Sequence, residues 1–118
     1  MLTDPNFSQR LKNLLTVNPR PTASDLALLK LGRHFWGKDI LFVVGRNEKE
    51  NEKLKKLRRS GDYLIELAEI PGPTVLARSF GGKINKEGEE KARQLVLKYA
   101  PKAKEGRISF IFLNGGKD

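Results

Sequence analysis

The stretch from Val43 to Leu57 constrains this chain more than any other. It reads Val-Val-Gly-Arg-Asn-Glu-Lys-Glu-Asn-Glu-Lys-Leu-Lys-Lys-Leu. An apolar strand runs into a glycine, then an arginine, then an asparagine able to cap a helix that ends strongly basic. A strand-to-helix turn of this kind points backbone N–H groups outward, where the helix dipole favours an anion. Gly45 permits close approach and Arg46 can fork onto a phosphate. The same residues also make an ordinary N-cap turn with Arg46 in solvent. The acidic-then-basic order of the helix is what the dipole favours in any exposed helix. Asn51 shares a stripe with Asn47 and Leu54. A half-buried amide there needs partners, so Asn51 is expected to bond the neighbouring loop and hold the Arg46 turn.

The remaining chain supplies short elements around this unit. Asp4-Pro5 starts a helix carrying Phe7, Leu11, Leu14 and Leu15, which Asn18-Pro19-Arg20-Pro21 stops. A second helix restarts at Thr22 or Ser24 and runs to Leu31 before Gly32. Strands are expected over Asp39–Gly45, Asp62–Glu69, Thr74–Phe80 and Arg107–Leu113. The turn Ile70-Pro71-Gly72-Pro73 joins the middle two as a hairpin. A last helix from Asn85 to Pro101 carries the stripe Ala92, Leu95, Val96 and Tyr99. The expected order is α-α-β-α-β-β-α-β. That defines an α+β sandwich: an N-terminal helical hairpin, then a small mixed β-sheet with two packed helices. With 118 residues the chain is expected to form a single domain over 1–118, with a helical segment 1–36 and an α/β module 37–118.

Charge points to a polyanionic partner. The net charge is +9, from 23 Lys and Arg against 14 Asp and Glu. Cysteine is absent and there is one histidine, His34, so thiolate catalysis, disulfides and Cys- or His-rich metal sites within the chain are excluded. No cofactor is expected, and a cysteine-free chain without a signal peptide fits a cytoplasmic location. The longest apolar run, Ile40 to Val44, is far short of a bilayer span.

Enzymatic readings fail on spacing. Gly81-Gly82-Lys83 is not a phosphate-binding P-loop, because Ala77 and Ile84 occupy the positions that need glycine and Ser or Thr. Its adjacent glycines, with Arg78, Lys83 and Lys86 nearby, still make it a second candidate contact; a plain connector is the alternative. Asp62 and Glu66 share a strand face but lie about 13 Å apart in extended chain, too far for a hydrolase pair. His34 has no triad partner. Arg33-His34-Phe35-Trp36 combines cations with rings of the kind on which unpaired bases stack, although such rings also serve as core anchors. The chain is therefore not expected to be an enzyme.

From Leu41 onward the chain resembles the NFACT-R domain, the RNA-binding module of the NFACT ribosome quality-control factors. The resemblance is carried by Val44-Gly45-Arg46-Asn47, Asn51, Leu54, Gly61-Asp62, Ile70-Pro71-Gly72 and the helix Glu89 to Tyr99. Residues Leu2 to Pro5, Phe7, Arg10-Leu11 and Leu28 to Phe35 resemble the segment preceding this module in tRNA 2-thiouridylase-like proteins. There an ATP-pyrophosphatase domain lies upstream. The resemblance implies an RNA-binding accessory domain, with tRNA as the expected ligand, in a sulfur-transfer system whose chemistry is done elsewhere. The chain departs from the family pattern after Asp62, where an aromatic and a histidine are usual and Tyr63 to Glu66 stand, and at Pro73-Thr74, where Ser-His is usual, so base recognition is expected to differ more than phosphate binding. The expected RNA contacts are Arg46, Asn47, Arg78, Lys83 and Lys86, with Arg33, Lys53 and Lys56 outside them. The alternative is a protein-interaction module that docks a catalytic domain or self-associates.

Overall fold

A computed structural model describes residues 5–68, 70–100 and 110–114. The elements run α1 (Pro5–Val17), α2 (Ala23–Leu28), β1 (Arg33–Gly37), β2 (Ile40–Val44), α3 (Glu48–Leu57), β3 (Tyr63–Leu67), β4 (Val75–Ser79), α4 (Lys86–Lys98) and β5 (Phe110–Asn114). One element, β1, was not expected. Arg33–Gly37 belongs to the sheet and not to the helical N-terminal segment; it pairs antiparallel with β2 through a two-residue turn at Lys38-Asp39. Lys38 takes φ +55° there. Such turns normally carry Asn-Gly or Asp-Gly, so Lys-Asp gave no hairpin signal.

The sheet order is β1-β2-β4-β3-β5. Every pairing is antiparallel, so the expected mixed sheet is corrected. The cause is interleaving. The crossover β2-α3-β3 joins two strands that run the same way, but β4 is inserted between them. Likewise β4-α4-β5 straddles β3. Both crossovers step the same way along the sheet while starting from oppositely directed strands. A single handedness therefore places α3 and α4 on opposite faces.

Alternation along each strand feeds two cores. Phe42, Val44, Ile65, Val75 and Ala77 pack with Ala92, Leu95 and Val96 under α4. Leu41, Val43, Leu64 and Leu76 pack with Leu28, Leu31 and Leu54 under α2 and α3. The continuous apolar run of β2 is explained by burial on both faces. The α4 stripe read from sequence is buried as expected, with Tyr99 half-buried at its end.

The second helix ends three residues earlier than its apolar pattern suggested. Thr22 and Asp25 form a reciprocal capping box at its start. Past Leu28 the chain tightens into i→i+3 bonds: Lys30 N–H donates to Ala27 O and Leu31 N–H to Leu28 O. Gly32 then turns at φ +61°, where a Cβ would collide with the Val44 carbonyl. Arg10 of α1 donates to the carbonyls of Leu29 and Gly32, both at 2.9 Å, tying α1 onto this turn.

Candidate nucleic-acid interface

Sheet register sorts the expected contact residues into separate places. Val44 pairs with Val75 and Ile40 with Ser79. Gly45-Arg46-Asn47 therefore lies at one end of β2 and Gly81-Gly82-Lys83 at the other. Five-residue strands hold these ends roughly 14 Å apart.

At the first end, Asn47 caps α3 by accepting from the Glu50 amide at 2.9 Å. The Glu50 carboxylate turns back on Arg46. It accepts from the Arg46 amide at 2.9 Å, from Nε at 3.0 Å and from Nη2 at 2.8 Å. This bidentate pair holds Glu50 well below the usual carboxylate range, at about 2, and raises the arginine. The fork expected to meet a phosphate is thus occupied by the protein's own carboxylate, although the Arg46 side chain remains 49% exposed. The Gly45 amide is also satisfied, donating to Thr74 O at 2.9 Å. Asn51 does what its stripe position suggested: Oδ1 accepts from the Thr74 amide at 3.0 Å, locking the β2–α3 turn to the start of β4. Gly45 is required there, since a Cβ would overlap Asn51 Oδ1. Beside this turn opens a cleft of about 460 Å³ that includes Arg46 and Lys55 but also Glu48, Glu52 and Glu66. These carboxylates make its interior a poor cradle for a polyanion.

Among the described residues, free positive charge at this end includes a pair of cations on its outer corner. Arg33 pairs with Val44 in the sheet, next to Gly45. Its guanidinium lies 4.9 Å from the centre of the Tyr99 ring. Lys98 Nζ stands 5.5 Å from the same ring and 5.9 Å from Phe35. Phe35 and Tyr99 are tilted against each other at 6.1 Å. Arg33 and Lys98 are exposed and make no ion pair among the described residues. Rings and guanidinium planes flanked by unneutralised cations are a surface on which unpaired bases can stack while phosphates are held. Lys98 and Tyr99 were not among the expected contacts. Tyr99 read as the last residue of an apolar stripe, and Arg33 is distant in sequence.

Arg78 is corrected outright. It is 1% exposed, on the α2–α3 face of β4. Nε donates to Asp62 Oδ1 at 3.0 Å, Nη2 to Asp62 Oδ2 at 2.8 Å and to Leu57 O at 2.9 Å. Nη1 donates to Asp25 Oδ1 and Ser24 Oγ, both at 3.0 Å. Each guanidinium nitrogen is engaged, so Arg78 is an internal tie between the start of α2, the end of α3 and the start of β3. Alternation could have revealed this, since Arg78 shares a face with Leu76 and Phe80, both part of the core under α3.

Lys83 and Lys86 are exposed at the far end, beside the Asn85 cap of α4. Lys53 and Lys56 are exposed on α3, facing α2. His34 is structural: its Nε2 lies 2.9 Å from Leu28 O and 3.1 Å from Leu31 O. Burial and the nearby Arg10 charge lower its pKa to about 4. Among the described residues no cluster of His, Asp and Glu could hold a metal ion, and no helix is long and apolar enough to cross a membrane.

Comparison with known proteins agrees with this geometry. The model of the NFACT protein RNA-binding domain matches residues 32–117, the greater part of the chain. The chain belongs to that family. Membership supports RNA as a partner and is consistent with a domain that performs no chemistry of its own. The matched range begins at Gly32, so it takes in β1. No curated protein matches the chain. Among solved structures it is similar to the C-terminal part of the fibronectin/fibrinogen-binding protein of Streptococcus suis. The TM-score is 0.58 at 13% identity, covering 89% of this chain and 51% of that one. The likeness is one of fold, and the chain spans about half the length of that structure.

Proposed function

We propose that the chain is an RNA-binding accessory domain that receives RNA on the corner formed by Arg33, Phe35, Lys98 and Tyr99. The observation that carries this reading is a family match to an RNA-binding domain combined with a cation-and-ring surface whose cations have no carboxylate partner among the described residues. Arg33 and Lys98 hold phosphates, and the Tyr99–Phe35 pair supports an unstacked base. Asn47 and Arg46 flank this corner, Arg46 with its charge largely offset by Glu50. Lys83 and Lys86 meet RNA only if it reaches around to the other end of the sheet.

The finer reading takes a folded RNA, tRNA, as the ligand. It places the domain in a tRNA-modifying system whose sulfur-transfer chemistry is supplied by another, ATP-pyrophosphatase-type domain. It rests on the resemblance of Leu2 to Pro5, Phe7, Arg10-Leu11 and Leu28 to Phe35 to the segment that precedes this module in such proteins.

The test is fluorescence anisotropy with folded tRNA, unstructured RNA of equal length and duplex DNA over a range of salt. Tighter binding to tRNA that persists near physiological salt is the expected result. Equal, steeply salt-dependent binding to all three would reduce the corner to a generic basic surface, since phosphate contacts alone do not discriminate.

A further inference from the structure

The face of α2 and α3 remote from the sheet is not used by the RNA reading. A groove of about 740 Å³ runs between these helices and the start of α1. Its apolar surface comes from Phe7, Leu26, Leu31 and Leu57, and its rim from Lys30, Lys53 and Lys56. α2 is only six residues long, and among the described residues its outward leucine is left partly uncovered: Leu26 is 38% exposed. The rim is electrostatically unfilled. Lys55, on the same helix, is paired with Glu52 and Glu66. Lys30, Lys53 and Lys56 make no ion pair among the described residues. Much of the groove comes from α1 and α2, which precede the family-matched residues.

An apolar floor between lysine rims selects its occupant by chemistry. Covering the floor requires aliphatic or aromatic anchors spaced along a helix at i, i+3, i+4 and i+7. The rim requires carboxylates on both flanks of that helix. RNA satisfies the rim but not the largely aliphatic floor. A second copy of a chain with net charge +9 would bring like charge to the lysines. We infer that this groove docks an acidic amphipathic helix of a partner protein.

A library of helical peptides with randomised flanks, panned on the full chain, tests this inference. The expected enrichment is for leucine-, isoleucine- or phenylalanine-faced helices flanked by Asp and Glu. The best peptide is then titrated against the wild type, Leu26→Asp, and the Lys30→Glu/Lys53→Glu/Lys56→Glu triple variant. Both variants change exposed positions, and circular dichroism verifies that each is folded. Each should weaken binding about tenfold or more, as central and charge-paired contacts do. The triple variant should in turn accept the same peptide with lysines in place of its acids. The inference is overturned by no enrichment, by enrichment indifferent to flank charge, or by binding that both variants leave intact. It is also overturned if Leu26→Asp abolishes self-association of the chain in sedimentation, or if the variants lose RNA binding instead.

Discussion

Two cationic clusters in this molecule differ in what stands opposite the charge. Beneath α2 and α3, Arg78 faces Asp25 and Asp62 and is sealed from water. At the β1–α4 corner, Arg33 and Lys98 face the rings of Tyr99 and Phe35. A carboxylate consumes a cation's charge, whereas a ring face orients the cation and leaves that charge available to a third party. Arg46 stands between the two cases, half-exposed yet bidentate to Glu50. The partner in space, more than the residue type, separates a structural cation from one left free to bind.

The sharpest way to break this contrast is Arg78→Ala. Removing it takes the counter-ion from the buried Asp62 and leaves Asp25 with Arg59 alone, and should cost about 3–5 kcal/mol in urea denaturation. Unchanged stability with weakened RNA binding would reverse its assignment. Next in size is the pH response of His34, whose Nδ1 has no partner among the described residues. Its folded pKa of about 4 lies below the ordinary 6.5. Between these values the unfolded chain binds the extra proton, so stability is full above pH 6.5 and falls as pH drops toward 4. The loss is at most about 3 kcal/mol. His34→Gln, which keeps a donor for the Leu28 and Leu31 carbonyls, should flatten thermal melts across that window. A similar slope in the variant would assign the effect to other groups. Glu50, with a folded pKa of about 2, adds its own loss only below about pH 4.5.

Gly45→Ala should follow, costing about 1–3 kcal/mol because the new methyl displaces Asn51 from the Thr74 amide. A stability equal to wild type would mean that the turn relaxes freely. The smallest effects on the fold, and the most telling for function, belong to the outer corner. Arg33→Ala and Lys98→Ala should leave the melting temperature nearly unchanged while each lowers the salt slope of RNA binding by about one. Tyr99→Leu should weaken binding by about 1 kcal/mol without changing the slope. The Lys83→Ala/Lys86→Ala pair serves as the comparison. If it reduces the slope as much as the corner variants do, the RNA footprint spans both ends of the sheet.

Local signals accounted for much of this. The apolar run of β2, the Asn47 cap, the Asn51 stripe and the α4 stripe each follow from periodicity or capping within one element, and each stands as read. What escaped depended on partners far away in the chain. β1 lacks a recognisable turn dipeptide and has a mixed cation–aromatic sequence, so only its pairing with β2 identifies it as a strand. The Arg78 site needs Asp25 and Asp62, which sit in two other segments. The corner needs Arg33 and Tyr99, brought together only when β1 takes the sheet edge and α4 ends beside it. The fork of Arg46 is engaged internally for a nearer reason: Glu50 lies four residues on, the spacing at which opposite charges meet.

The Arg78 tie also has a bearing on descent. Loss of Arg78 alone leaves the buried Asp62 carboxylate without its counter-ion, whereas exchanging the arginine and its aspartates together for apolar residues of similar bulk need not be harmful. Asp62 should therefore not be inherited without Arg78. A relative that lacks α2, and with it Asp25, should still carry Arg78 and Asp62 as a balanced pair.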